Sequence, residues 1–507
     1  MPRPAQCGFP LITIVAVLLG APGLGRAQPT AEPQPPATAA PAVETPAPEP
    51  SAVPTPEAAP APEATPTPEA APAPEATAAP RAPITERRAE PDYDGREDGV
   101  TVGEVLLWVP RIAVSPIYLV SEFVIRRPLG FLISTAEEEH VAEKLLEVFT
   151  FGDEGQFAIV PTAYVDLGFR PRYGLYARWS DVAVDGNKLK LNATLSTGDQ
   201  FSISTGDSYR PPDAIYSVSV ANTYSRADDR RFYGAASRDA TRTLGDDRFG
   251  YSLESNNTRL NLSFDLWRSS QVTATVGVRS MRFDDDIRNG TALTDPANGF
   301  ATPPGYDDGY TALHSRLSAA LDTRRPRPFA GDGVRLTGKI RHGVDLRDHA
   351  TGEAPKWLAY GGSLGGYLDV SGVNHVLGLI GHVELSEALD GAIPFTELID
   401  IGGSGPLRGF IPGRLYGDSA AALVVEYRYP VWIWLDGSFH SALGNVFPGH
   451  LDGLKPSALR HSFGLSLRTA GSRDHSFDFT LAFGSEPLGD GGAINAVRLV
   501  IGGNSAF

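Results

Sequence analysis

From about Phe157 to the C-terminal Phe507, the chain alternates apolar and polar residues in stretches of about ten residues or more, separated by turn or loop residues. Leu189 to Leu195, Tyr216 to Val220, Leu260 to Leu266, Val272 to Val276 and Phe477 to Phe483 show the pattern. One face of each stretch is apolar or aromatic, and the other is rich in Ser, Thr, Asn, Gly and charge. A period of two belongs to β-strands, whose successive side chains point to opposite faces. A secreted β-sandwich also alternates, but it needs two sheets whose apolar faces meet, usually with shorter strands. Strand length favours an all-β transmembrane antiparallel β-barrel, with its apolar face toward lipid and its polar face lining the lumen.

The alternation predicts sixteen strands, an even number, near 157–168, 171–183, 187–197, 200–209, 213–226, 248–266, 270–284, 309–323, 332–346, 356–370, 372–386, 418–430, 435–447, 456–470, 475–486 and 492–507. Counting back in twos from Phe507 puts Ile501, Leu499 and Val497 on the lipid row and Arg498 in the lumen. A terminal aromatic closing such a strand reads as an outer-membrane insertion signal. Composition agrees: hydrophobic residues make up 42% and charged residues 21%, with none of the repeated apolar runs of about 20 residues that a helical bundle needs. The formal charge of −16 opposes nucleic acid unless a basic patch is segregated, and the sequence shows no such run. Cys7 is the single cysteine, so a disulfide or multi-cysteine metal site is excluded. No cofactor is expected.

Residues 1–27 read as a secretory signal peptide, with Arg3 ahead of an apolar core around Leu11 to Leu19 and small residues Gly25 and Ala27 at the cleavage site. Residues 28–91 are a Pro/Ala/Glu-rich linker expected to be disordered, in which Pro54 to Thr65 is repeated as Pro66 to Thr77. Such a tract favours extended polyproline II and reads as a periplasmic spacer toward the cell wall or a periplasmic partner, or as a neutral low-complexity insertion. Residues 92–152 are expected to hold an interfacial segment over Val105 to Ile125 and a helix beginning near Thr135, with Val141, Leu145 and Phe149 on one face. The acids Glu137 to Glu139 beside His140 read as dipole partners in its first turn rather than as metal ligands. The barrel is assigned to residues 153–507.

The longest late break in the alternation runs from Pro394 through Gly402, Gly403, Leu407, Arg408, Gly409 and Phe410, before a strand ending Glu426-Tyr427-Arg428-Tyr429-Pro430. This segment resembles the bacterial surface antigen superfamily, the BamA/TamA-type outer-membrane assembly and translocation barrels. In that family a glycine pair and a Val-Arg-Gly-Phe/Tyr tetrad sit on the sixth extracellular loop, which folds back into the lumen. Here Leu407 stands for Val, and the strand count independently puts the segment between strands eleven and twelve. Arg231-Phe232-Tyr233-Gly234, Asp322-Thr323-Arg324 and Gly444-Asn445-Val446-Phe447 are similar to other family segments. Two departures stand out: Ala442 replaces the family's strand-thirteen aspartate, and no periplasmic POTRA repeat is recognisable. The resemblance implies insertion or translocation of proteins or lipids at the barrel seam. Outer-membrane lipid would surround the barrel, and nascent outer-membrane proteins or lipids would be its clients. A structural surface-antigen barrel and a small-solute pore remain alternatives.

The loop chemistry can also be read from the residues. A guanidinium lowered into a barrel needs a carboxylate on the wall, and strand parity puts Glu426 in the lumen as the partner of Arg408. The alternative is an ordinary surface loop with a solvated arginine. Asp436 shares that parity but lies too far along its strand to replace the acid missing at Ala442. Closure would pair residues 157–168 with 494–507 and bring Val160 near Ile501. Pro161, which has no N–H, and Gly502 and Gly503, which have no side chains, predict a weak seam, unless Pro161 sits at a wet periplasmic rim. Gly206-Asp207-Ser208 and Gly417-Asp418-Ser419 are similar to a hydrolase serine motif but have no assignable histidine, so no catalytic residue is expected.

Overall fold

The computed structural model describes Ser115 and residues 148–152, 155–235, 249–287, 290–295, 301–324, 331–347, 354–371, 374–432, 435–469 and 475–505. The expected signal peptide, linker and interfacial segment lie outside the described residues, as does Phe507. Of the helix expected to run to Gly152, Val148 and Phe149 are described as helical, whereas Thr150–Phe151 form a short strand paired with Ala158 and Phe157, so the helix ends earlier than expected.

Sixteen strands follow one another: β1 Phe157–Asp166, β2 Arg172–Ser180, β3 Asn187–Ser196, β4 Phe201–Tyr209, β5 Tyr216–Phe232, β6 Phe249–Asp265, β7 Gln271–Asp284, β8 Tyr310–Asp322, β9 Gly333–Asp345, β10 Lys356–Asp369, β11 Val376–Asp390, β12 Ser419–Trp432, β13 Leu435–Phe447, β14 Arg460–Thr469, β15 His475–Pro487 and β16 Ile494–Ser505. Each pairs antiparallel with the next, and β1 pairs with β16. The sheet is therefore a closed barrel, which leaves no open edge to hydrocarbon. β5 runs past the predicted end near residue 226 because a bulge between Ala227 and Arg230 interrupts its alternation. β14 begins at Arg460, since Pro456–Ala458 forms a 3-10 turn.

Side chains obey the alternation. Leu175, Leu195, Leu317, Leu364 and Leu379 are exposed on the outer face, where lipid supplies the apolar solvent. Tyr427 and Tyr429, expected on the lipid-facing parity of their strand, share it but are buried in a cluster with Val370, Val431 and Leu435, Tyr427 stacking on Tyr429 and Tyr429 on Phe439. The inner face gathers what the linear sequence scatters. Arg279 on β7, Arg316 on β8, and Lys339 and Arg341 on β9 form one cationic stretch of lumen wall, with Arg316 directly opposite Arg341. The basic patch that no linear run announces is made by register.

The interior core is formed by the β11–β12 loop. Phe395 enters an aromatic cluster of Phe232, Phe249, Tyr251 and Tyr306. Farther along the loop, Ile399, Ile401, Leu407, Phe410 and Leu415 pack against Ala420, Ala422 and Val446 of the wall. The loop thus lies across the lumen, with one apolar contact on the β5–β7 side and one on the β12–β13 side.

Candidate functional site

The loop turns sharply after Asp400, whose carboxylate accepts N–H bonds from Gly402 (2.9 Å) and Gly413 (2.7 Å) and so closes the segment on itself. Burial pushes the Asp400 carboxyl above the ordinary aspartate range, against the opposing pull of those two N–H groups and of Arg498. Gly403 has φ +63°, a left-handed conformation that favours glycine, and its N–H donates to Phe410 O at 2.8 Å. Gly409 donates to Ser462 Oγ at 2.9 Å. A Cβ at Gly409 would run into the backbone carbonyl of Phe483 on β15, so glycine is what lets the loop touch the wall there. The Phe410 ring fills a socket left by Gly484, where a Cβ would come within 2.6 Å of the ring.

Arg408 Nη1 donates to Glu426 Oε1 at 3.3 Å, and Arg428 Nη2 lies 3.6 Å from the other oxygen. The carboxylate that parity put in the lumen is thus shared by two guanidiniums. Ala442 is fully enclosed, and in the strand register Asp436 stands opposite Arg468 and Pro430.

The second anchor is one that sequence reasoning missed. Glu397, in a single 3-10 turn Phe395–Glu397 at the loop's start, is buried against the cationic wall. Arg279 Nη1 reaches its carboxylate at 2.8 Å, Tyr310 OH donates to it at 2.8 Å, and Arg341 Nη2 donates to its backbone carbonyl at 3.1 Å. The available signal was the inward parity of Arg279, Arg316 and Arg341, a set of cations that needed an acid.

At the barrel seam, among the described residues, only Tyr164↔Gly502, Val165↔Ile501 and Asp166↔Val500 are paired, extended by Leu167 N–H to Leu499 O at 2.8 Å. This corrects the expectation of a full-length ladder: Val160 faces Tyr176 on β2, and Val165 is the residue opposite Ile501. Pro161 lies outside the stretch paired with β16 and opposite Leu175 on β2, so it does not interrupt the seam ladder. Gly502 is a point of close approach rather than of looseness, because a Cβ there would meet Ala163 O and Tyr164 Cα. Gly503 is paired with Phe477 on β15. Across this short seam, Arg498 Nε and Nη2 hold Asp166 at 3.0 and 2.8 Å, while Nη1 donates to Gly403 O of the loop at 2.6 Å.

The Omp85 superfamily domain matches residues 185–491, more than half of the chain. The chain belongs to the Omp85 superfamily. No curated protein sequence matches it. Among solved structures, the Omp85 barrel is similar to BamA from Haemophilus ducreyi lacking POTRA domains 1–3, at 16% identity and a TM-score of 0.47, covering 69% of this chain and 70% of that one. It is also similar to CdiB from Acinetobacter baumannii, at 14% identity and a TM-score of 0.42 with 69% and 60% coverage, and to CdiB from Escherichia coli, at 12% and 0.41 with 68% and 62%. This chain therefore spans less than two thirds of the CdiB chains. An Omp85 barrel is a protein of the Gram-negative outer membrane.

Two other family-like segments serve this site. Tyr233 lies under Arg414 of the loop, with the guanidinium 4.8 Å from the ring centre, and Ala235 bridges to Tyr416. Arg324 grips Asp322 through two bonds of 2.9 and 2.8 Å and stacks 3.9 Å over Tyr367, fixing the β8–β9 turn. Gly206-Asp207-Ser208 lies inside β4, and the Ser419 hydroxyl is engaged with Phe447 O and Leu451 N.

Proposed function

We propose that this Omp85 barrel inserts or translocates proteins or lipids at the outer membrane, admitting them where β1 meets β16. The observation that carries the reading is the seam itself. Among the described residues, three pairs join β1 to β16, whereas every other neighbouring pair of strands shares at least eight. In hydrocarbon each unmade backbone hydrogen bond costs on the order of several kcal/mol. The interface with fewest bonds is therefore the least costly to part, and a strand entering there would satisfy the freed edges.

A loop anchored to both walls crosses the lumen, which argues against a permanently open solute pore, and no enzymatic step is assigned. The chain before the barrel is read as a periplasmic arm, since an even strand count returns both barrel ends to one side. A tag near Ala40 should be inaccessible on intact cells.

The decisive experiment uses Val165→Cys with Ile501→Cys, directly opposed positions on the outer face. Cys7 precedes the expected cleavage site, so the engineered pair should be free of competing thiols. In cells depending on this chain, complete cross-linking should disturb the outer-membrane protein or lipid profile, and reduction should restore it. Full function of the completely locked barrel would overturn the reading.

A further inference from the structure

We propose that Arg498 is a positioning residue that makes the seat of the lumen loop and closure of the seam one event. The proposal rests on the seam reading above and specifies how that seam is regulated. Its basis is that all three nitrogens of one guanidinium are engaged by two independent parts of the barrel. Nε and Nη2 take the two oxygens of Asp166 on β1, and Nη1 takes the Gly403 carbonyl on the loop. Asp166 is the last residue of β1 and sits opposite Val500, at the upper end of the three-pair seam. Among the described residues no second ion pair crosses it.

The physical coupling follows from burial. Arg498 and Asp166 are 6% and 4% exposed, so neither charge has water to fall back on. Parting β1 from β16 strips the guanidinium of its counter-charge, and a buried charge without a partner is strongly destabilising. Lifting the loop removes the third acceptor. It also withdraws Leu407 and Phe410 from the wall, admits water to the ion pair and weakens it by raising the local dielectric. Each opening therefore lowers the cost of the other, and linkage makes the effect reciprocal. A planar fork is required, because lysine keeps the charge but is a point donor that cannot satisfy both carboxylate oxygens and the carbonyl at once.

The test uses full-length protein in outer-membrane vesicles without added client, so its outcome is separate from that of the assembly reading. Loop seating is read as protease cleavage within residues 402–416, and seam closure as oxidation yield of the Val165→Cys/Ile501→Cys pair. Asp166→Asn, a change on a residue that makes no bond to the loop, should raise loop cleavage by about tenfold, a coupling of about 1.4 kcal/mol. Arg498→Lys should do the same. Exchanging the charges, Asp166→Arg with Arg498→Asp, should restore the oxidation yield but leave the loop sensitive, because the donor to Gly403 has left β16. In the barrel with Asp166 and Arg498 intact, oxidising the cysteine pair should slow loop cleavage relative to its reduced form, which keeps the test open should Asp166→Asn fail to assemble. Equal cleavage of the oxidised and reduced forms would overturn the proposal. So would a charge exchange that rescues loop and seam together.

Discussion

On the β7–β9 wall the loop is held by an enclosed carboxylate, Glu397, engaged by two arginines and a tyrosine, with Phe395 set in an aromatic cluster beside it. On the opposite side it is held by Arg408 on a shared Glu426, by Phe410 in the Gly484 socket, and by the Gly403 carbonyl on Arg498. The walls behind these contacts differ in the same sense. β7 with β8 and β8 with β9 are each paired over eleven positions, and β1 and β16, among the described residues, over three. Where pairing is long the loop is fixed by a charge that cannot be solvated without large loss. Where it is short, the loop is fixed by a partner that also belongs to the seam. One foot is a foundation and the other a fastening.

The largest expected effect is at the foundation. Glu397→Ala leaves Arg279 without its acid and Arg341 with only the backbone carbonyl, beside Arg316; as both guanidiniums are half-buried, the loss should lie at the low end of what a buried ion pair costs, about 3 kcal/mol. The variant should lose heat-modifiable gel mobility at a lower temperature than any fastening variant. A smaller loss than that of Arg408→Ala would invert the comparison. Gly409→Ala comes next, because its methyl group meets the β15 backbone and such overpacking costs about 1–3 kcal/mol. It should lift residues 402–416 into protease reach while the β7–β9 anchor stays formed. Arg408→Ala should loosen the loop by about 1–2 kcal/mol, since Glu426 retains Arg428. Arg414→Ala should have the smallest effect, about 0.5–1 kcal/mol, as it removes a cation–π contact with Tyr233. Equal cleavage rates for the Arg408 and Arg414 variants would show that the Glu426 pair does not hold the loop.

The alternation made the sixteen strands legible because one face meets lipid and the other the lumen, so burial pressure acts at every second residue. It also made Glu426 readable, since parity is local: Arg408 and Glu426 are 18 residues apart and joined through one strand. Seam register was not legible. It depends on the stagger accumulated around the whole barrel, which no single strand encodes. The Arg279–Glu397 pair, 118 residues apart, and the Arg498–Asp166 pair, 332 apart, were hidden for the same reason. Parity supplied the inward direction of Arg498 but not the residue it would meet. The β5 bulge concealed strand length because an inserted residue changes which parity faces the lumen.

The like-charge pair Arg316 and Arg341, set directly opposite on neighbouring strands, is unfavourable in isolation. Glu397 offsets it only while the loop is down. A loop that carries this carboxylate away makes a partly offset cationic wall more positive, so the lumen strengthens its preference for anions as it widens. Low-dielectric walls focus such a field over a Debye length of about 8 Å at physiological salt. Chloride, phosphate or an acidic stretch of polypeptide would then be drawn inward and cations repelled, giving the raised loop an ionic signature that a change in pore diameter alone would lack.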